Sequence, residues 1–305
     1  MVVLSLRVLG GFSLEQIDGD DRQTLGLPPR SAALLAILAL AGGRRLHRSE
    51  LIAALWQDDE RGGSAACLST ALWRLRKALA AWSAAHGEAI LGDAQGGLKL
   101  REHDAFHVDV IAFQKQTAAA LSKPAGHFDE ADAVALAEAV RLYAGDLLVD
   151  VDRDWARRER ERLRRRFIDT LLRLMRHAVN VDDLEAAIRR GRHALEVDPL
   201  REDIHRELMA CLLKRGQRAH ALQQFETCRA SLRSELAIAP MPETMALYRD
   251  VAAQSLSVQE PPRHAGTAPR IATEVDHGEM AARASLQHAR RLLAEAERQL
   301  QLFLE

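Results

Sequence analysis

The chain has 305 residues, 48% of them apolar and 4% aromatic, which suffices for a packed core, favours helix over strand and points to about two domains. Its 42 Lys and Arg against 43 Asp and Glu leave a net charge of −1, so it is no polycation and any nucleic-acid site must be a local patch. Cys67, Cys211 and Cys228 are scattered and show no metal-ligand spacing, which argues against a disulfide framework and suits a reducing, cytoplasmic setting. No basic segment precedes an apolar run at the N-terminus. The longest apolar run, Ala32 to Ala41, is about half of what a membrane span requires, so no secretory leader and no membrane partner are expected.

The first segment, Val2 to Leu14, reads as strand, with a hairpin turn signal at Asp18-Gly19 and a second short strand before Pro28-Pro29. Proline is welcome at a helix start, so a first helix is expected from Arg30 to about Ala41, stopped by Gly42-Gly43. A second helix follows, with Ser49 as its expected cap and Leu51, Ile52, Leu55 and Trp56 on one face. A third is expected over Ser64 to Ala80. The two apolar runs Ile90-Leu91 and Leu98-Lys99-Leu100, around a glycine-rich turn, then read as a β-hairpin.

From Val110 to Gln254 the pattern is helical throughout, broken at short Gly, Pro and Asp signals. Leu184-Glu-Ala-Ala187 and Ala219-His-Ala221 align with Ala187 on Ala221, an offset of about 34 residues, the period of tetratricopeptide helix pairs. Chance matches in an Ala-rich bundle look much the same. Residues 255–277, rich in Pro, Ser and Thr, read as a linker. Residues 278–305 read as an amphipathic helix whose stripe is Leu286, Ala289, Leu293, Ala296, Leu300 and Phe303, suited either to a second copy or to docking in cis.

The third helix carries the functional signal. Leu68, Leu72, Leu75 and Leu79 form one stripe toward a core. Ala66, Thr70, Trp73 and Lys77 fall opposite, flanked by Ser69, Arg74 and Arg76. Small residues at the N-terminal end and cations toward the C-terminal end are what a helix needs to enter the DNA major groove. An ordinary solvated basic face has the same composition, and the helix alone leaves both open.

The surrounding order brings in a resemblance. L-R-V-L-G-G-F-S-L (Leu6–Leu14), P-P-R-S-A-A-L-L-A-I-L-A-L (Pro28–Leu40), S-E-L-I-A-A-L-W (Ser49–Trp56) and L-W-R-L-R-K-A-L (Leu72–Leu79) resemble the winged-helix domain of OmpR-type response regulators. They are more similar still to the antibiotic regulatory proteins, the SARP family. D-W-A-R-R-E-R-E-R-L (Asp154–Leu163), A-L-E-V-D-P-L-R-E-D (Ala194–Asp203) and S-E-L-A-I-A-P-M-P-E-T (Ser234–Thr244) resemble the bacterial transcriptional activation domain that follows it. The resemblance spans roughly residues 3 to 254. It implies a mainly α chain: an N-terminal winged helix-turn-helix (α+β), residues 1–108, followed by an all-α tetratricopeptide-like helical domain, residues 109–254. It also implies an activator of transcription that binds double-stranded promoter DNA and contacts RNA polymerase. The DNA-binding candidates are Ser69, Thr70, Trp73, Arg74, Arg76 and Lys77, with Lys99 on the wing. Two positions depart from the family pattern: Leu98 where the wing usually carries an aromatic, and Trp73 where Arg is frequent. Fewer groove-facing charges should weaken non-specific binding, and a homodimer is expected to offset this.

Other features are read as structural. The run Arg157 to Arg166 has interleaved glutamates and is expected to be a solvated helix face with i,i+4 ion pairs. His103 and His107, near Asp104 and Asp109, are not read as a metal site. There is no G-x-x-x-x-G-K-[ST] run and no nucleophile–base–acid set, so no cofactor and no catalytic residue is expected. The competing reading is a helical-repeat interaction scaffold whose winged helix no longer binds DNA.

Overall fold

The computed structural model describes residues 3–57, 63–81, 90–92, 96–101 and 106–253. The linker and C-terminal helix expected over 255–305, and His103, lie outside the described residues.

The N-terminal part opens with β1 (Val3–Arg7), β2 (Ser13–Asp18) and β3 (Asp21–Thr24), an antiparallel meander. Gly19, at φ +60°, supplies the left-handed residue of the tight β2–β3 turn. Leu4, Leu6 and Leu14 point into the core, while Ser5 and Arg7 alternate outward. Helix α1 (Pro29–Leu40) starts at the second proline, where its missing N–H costs nothing, and stops at Gly42 and Gly43, both at positive φ. Next come β4 (Leu46–His47), α2 (Arg48–Trp56), α3 (Ala65–Ala80) and the hairpin β5 (Ile90–Gly92) with β6 (Gly97–Leu100). Strands β4, β6 and β5 pair in that order beside the helices, which makes a winged helix. Ser49 does not cap α2. Pairing of His47 with Gly97 holds the chain extended only to that residue, so the helix begins at Arg48 with no side-chain cap. Arg30 donates to the Leu55 carbonyl and lies 5.5 Å from the Trp56 ring centroid, fastening α1 to the end of α2.

A strand unanticipated from sequence, β7 (Phe106–Val108), pairs parallel to β1 and completes a sheet of order β3-β2-β1-β7. It leads directly into α4 (Asp109–Ser122), which is followed by α5 (Glu130–Leu142) and the 27-residue α6 (Asp154–Asn180). Two helix pairs complete the described chain: α7 (Leu184–Val197) with α8 (Glu202–Lys214), and α9 (Arg218–Leu236) with α10 (Pro242–Ala253). The repeat suspected from Ala187 and Ala221 is geometric. Both side chains are fully buried. The turns before α7 and α9 also match: Asp182 and Gly216 both take positive φ. Asp183 N donates to Ala178 O at 2.8 Å, as Gln217 N does to Leu212 O at 2.8 Å. Gly191 sits where α7 approaches α6, and a Cβ there would stand 3.0 Å from the Met175 sulfur.

One continuous apolar core runs from Leu4 through Val110, Phe113 and Phe167 to Phe225. The polar ties across it are specific. The buried Asp109 carboxylate accepts from Val8 N and Leu9 N, both at 2.9 Å, and from Val110 N at 2.6 Å. Burial pushes its pKa up, against the pull of those three N–H groups. The segment 145–151 straps back onto the sheet: Gly10 N donates to Asp146 O and Leu148 N to Val8 O, both at 2.9 Å.

Here the expectation for the arginine run is corrected in part. Arg162 with Glu159 and Arg165 with Glu161 are surface pairs. Arg160, by contrast, donates to the carbonyls of Leu147 (2.9 Å), Leu148 (2.8 Å) and Val151 (3.1 Å). Arg164 pairs with Asp146, and Arg166 donates to Thr117 Oγ1 at 2.7 Å. The run is long enough to turn a face toward the strap and α4 as well as toward water.

Helix α5 begins with a reciprocal capping box of two aspartates. Asp132 N donates to Asp129 Oδ1 at 2.9 Å, and Asp129 N to Asp132 Oδ2 at 3.1 Å. Lys123 Nζ donates to both Asp132 oxygens, at 2.7 and 2.6 Å, and this bond chiefly holds the Asp132 carboxyl below the usual carboxylate range. A depressed folded-state pKa contributes stability that is present above the unfolded value, about 4, and is lost as pH falls through the folded one. Lys123→Met is therefore expected to flatten the fall in stability below about pH 4. Urea titrations at pH 3 and 6 check this, and equal pH slopes in parent and variant would count against it.

Candidate nucleic-acid interface

Helix α3 is positioned at its N-terminus and from below. Ser64 caps it, accepting from Cys67 N at 3.2 Å. Leu68, Leu72, Leu75 and Leu79 are all buried, against α1 and α2. Ser31 of α1 donates to the Ala71 carbonyl at 3.1 Å and pins the buried side. With the leucine stripe turned inward, helical geometry forces the opposite face outward.

On that outer face Ser69, Thr70, Trp73, Arg74 and Lys77 are all exposed. Thr70 Oγ1 bonds back to the Ala66 carbonyl at 2.9 Å, leaving its methyl and a compact profile outward. Trp73 is 60% exposed, and the Lys77 ammonium lies 5.0 Å from its ring centroid. Arg74 is exposed beside it.

Two of the seven candidates sit differently. Arg76 is half-buried, and its Nη2 donates to the Ile90 carbonyl at 3.0 Å, holding the first wing strand against α3. Lys99 is half-buried on β6, on the wing rather than the helix. Sequence reasoning passed over Arg48, the first residue of α2. It donates to Ser69 Oγ at 3.4 Å, and its Cδ lies 3.6 Å from where a Cβ of Gly96 would stand. It thus joins the start of α2, the outer face of α3 and the residue that leads into the second wing strand. Its signal is invisible in local periodicity, because its partners come from other elements.

Arg76→Ala is expected to destabilise by about 1–2 kcal/mol, the worth of one part-buried charged hydrogen bond. It should weaken binding through the wing without changing the salt slope. Denaturant titration together with binding at several salt concentrations checks this. A lowered slope at unchanged stability would make Arg76 a phosphate contact instead of a support.

Among the described residues no group of three or more His, Cys, Asp and Glu side chains is placed to hold a metal ion. No helix among them is long and apolar enough to cross a membrane.

Comparisons with known proteins agree with this architecture. Residues 22–96 match the family described as transcriptional regulatory protein, C terminal, and residues 108–252 match the bacterial transcriptional activator domain. The chain is 31% identical over 242 residues to the regulatory protein AfsR of Streptomyces coelicolor, covering 76% of this chain and 23% of that protein. To AfsR of Streptomyces griseus it is 30% identical over 232 residues, covering 73% and 22%. It therefore spans about a quarter of the length of these curated relatives. The solved structure of Mycobacterium tuberculosis EmbR, in complex with a low affinity phosphopeptide, is similar with a TM-score of 0.66 at 21% identity, covering 83% of this chain and 65% of that one. That likeness concerns the fold.

Proposed function

The chain belongs to the SARP family of transcription regulators, a winged helix followed by a bacterial transcriptional activator domain, and from that premise we propose that it activates transcription by binding promoter DNA through α3 and the wing. Residues 1–108 are assigned the DNA contact and residues 109–254 the contact with RNA polymerase. The observation that carries the reading is the division of α3. Its four leucines are buried, while Ser69, Thr70, Trp73, Arg74 and Lys77 share one solvent-facing surface beside the wing. Small side chains toward the N-terminal end of that surface and cations toward its C-terminal end suit a major groove, and the wing beside it distinguishes it from an ordinary solvated face.

In this proposal Arg74 and Lys77 neutralise phosphates, and Lys99 reaches the backbone from the wing. Ser69 and Thr70 allow close approach, and Arg76 and Arg48 hold the wing and the helix in register. Two copies on a repeated operator would compensate for the small number of cations. The setting is the cytoplasm, and no catalytic role is proposed. Mobility shifts on the protein's own promoter region at two salt concentrations, with light scattering of the complex, test this. Salt-sensitive binding by two copies per site is expected. Absence of DNA binding with retention of a protein partner would favour the interaction scaffold.

A further inference from the structure

Among the described residues Trp73 is the most exposed large apolar side chain, and it stands in the middle of the outer face of α3. Ser69 and Thr70 lie one turn before it and Lys77 one turn after. The Lys77 ammonium, 5.0 Å from the ring centroid, restrains the indole by a cation–π contact. An indole has one hydrogen-bond donor and no acceptor, so it cannot form the paired hydrogen bonds by which Arg reads guanine or Asn reads adenine. Stacking on a base face is closed in an intact duplex, where neighbouring bases cover the faces. The apolar group that base pairs do present in the major groove is the C5-methyl of thymine. A restrained, exposed ring with small side chains one turn before it fits that group and gains by removing it from water.

We infer that Trp73 is a specificity-determining residue that packs on the 5-methyl group of a thymine in the bound duplex. The inference rests on the DNA-binding reading above. It predicts that the site contains a preferred A·T pair that is recognised without a hydrogen bond to its thymine.

The test uses the full chain and duplexes enriched by it from a random library. Each thymine of the enriched site is replaced singly by deoxyuridine, which pairs identically and lacks the methyl. Binding is then measured for the parent chain, Trp73→Ala and Trp73→Phe at one salt concentration, with circular dichroism to establish that each variant is folded. The parent is expected to lose about three- to five-fold at one thymine per bound chain, the worth of one methyl group taken out of water. Trp73→Ala should bind more weakly and be indifferent to the methyl at that position, while Trp73→Phe should keep the dependence. If no deoxyuridine weakens the parent, or if Trp73→Ala shows the same loss, Trp73 does not read a methyl group and the inference is overturned while DNA binding stands. If no duplex is enriched and none binds, the DNA-binding reading falls and this inference with it.

Discussion

Arg74→Ala combined with Lys77→Ala is expected to weaken duplex binding on the order of 30-fold at about 0.15 M salt while leaving the melting temperature nearly unchanged. The size follows from counterion release. Each neutralised phosphate contributes about 0.9 to the slope of log affinity against log salt, which is roughly five-fold in affinity per contact at that concentration. The slope itself should fall by about two, one for each lost contact. Stability should hold because both side chains are exposed and lie off the buried leucine stripe. Arg74 and Lys77 are thereby distinguished from Arg76, whose guanidinium is bonded to Ile90 O. Fluorescence anisotropy at four salt concentrations supplies both numbers. A double variant with the parent's affinity and slope would place the DNA contact elsewhere on the chain.

Leu75→Ala should give the largest loss of stability, roughly 2–5 kcal/mol, and weaken DNA binding by loosening the packing that holds α3 in place. Leu75 is fully buried in the middle of α3, where the helix packs on α1 and α2. The surrounding helices are tied by the bond from Ser31 to Ala71 O and by that from Arg30 of α1 to Leu55 O of α2, so they cannot collapse freely into the space left by the missing methyl groups. A loss of this size is a large fraction of the 5–15 kcal/mol typical of a whole domain. Because one core runs from the winged helix into the helical repeats, the shift should appear in both parts together. Urea denaturation followed by circular dichroism gives the shift, and Leu75→Met should recover most of it, since the volume is kept. A Leu75→Ala chain that melts with the parent and binds normally would mean that the leucines face outward.

Much of the fold was legible because periodicity is local. The leucine spacing of α3, the prolines and glycines that bound α1, the hairpin around Gly96-Gly97 and the repeat through Ala187 and Ala221 each lie within one element or one repeat unit. The outer face of α3 was legible for the same reason, since helical geometry assigns Thr70, Trp73 and Lys77 to one side once the leucines take the other. The roles within that face were less so. Arg74 and Arg76 are two residues apart and chemically identical, yet one is exposed and the other is bonded to a strand.

Residue identity and spacing alone placed the three helices and the wing hairpin of the N-terminal part and assigned the face of α3 offered to solvent, because each depends on backbone geometry over a few residues. Tertiary structure decided everything that needed distant chain segments to meet. It added β7 beside β1 and turned the Asp109 carboxylate onto Val8 and Leu9, about a hundred positions away, where buried N–H groups required an acceptor. It also gave Arg160 to the strap at 147–151, Arg76 to the wing and Arg48 to Ser69. Such pairings follow from which polar groups are left unsatisfied once the apolar stripes have packed, and no local pattern encodes that remainder.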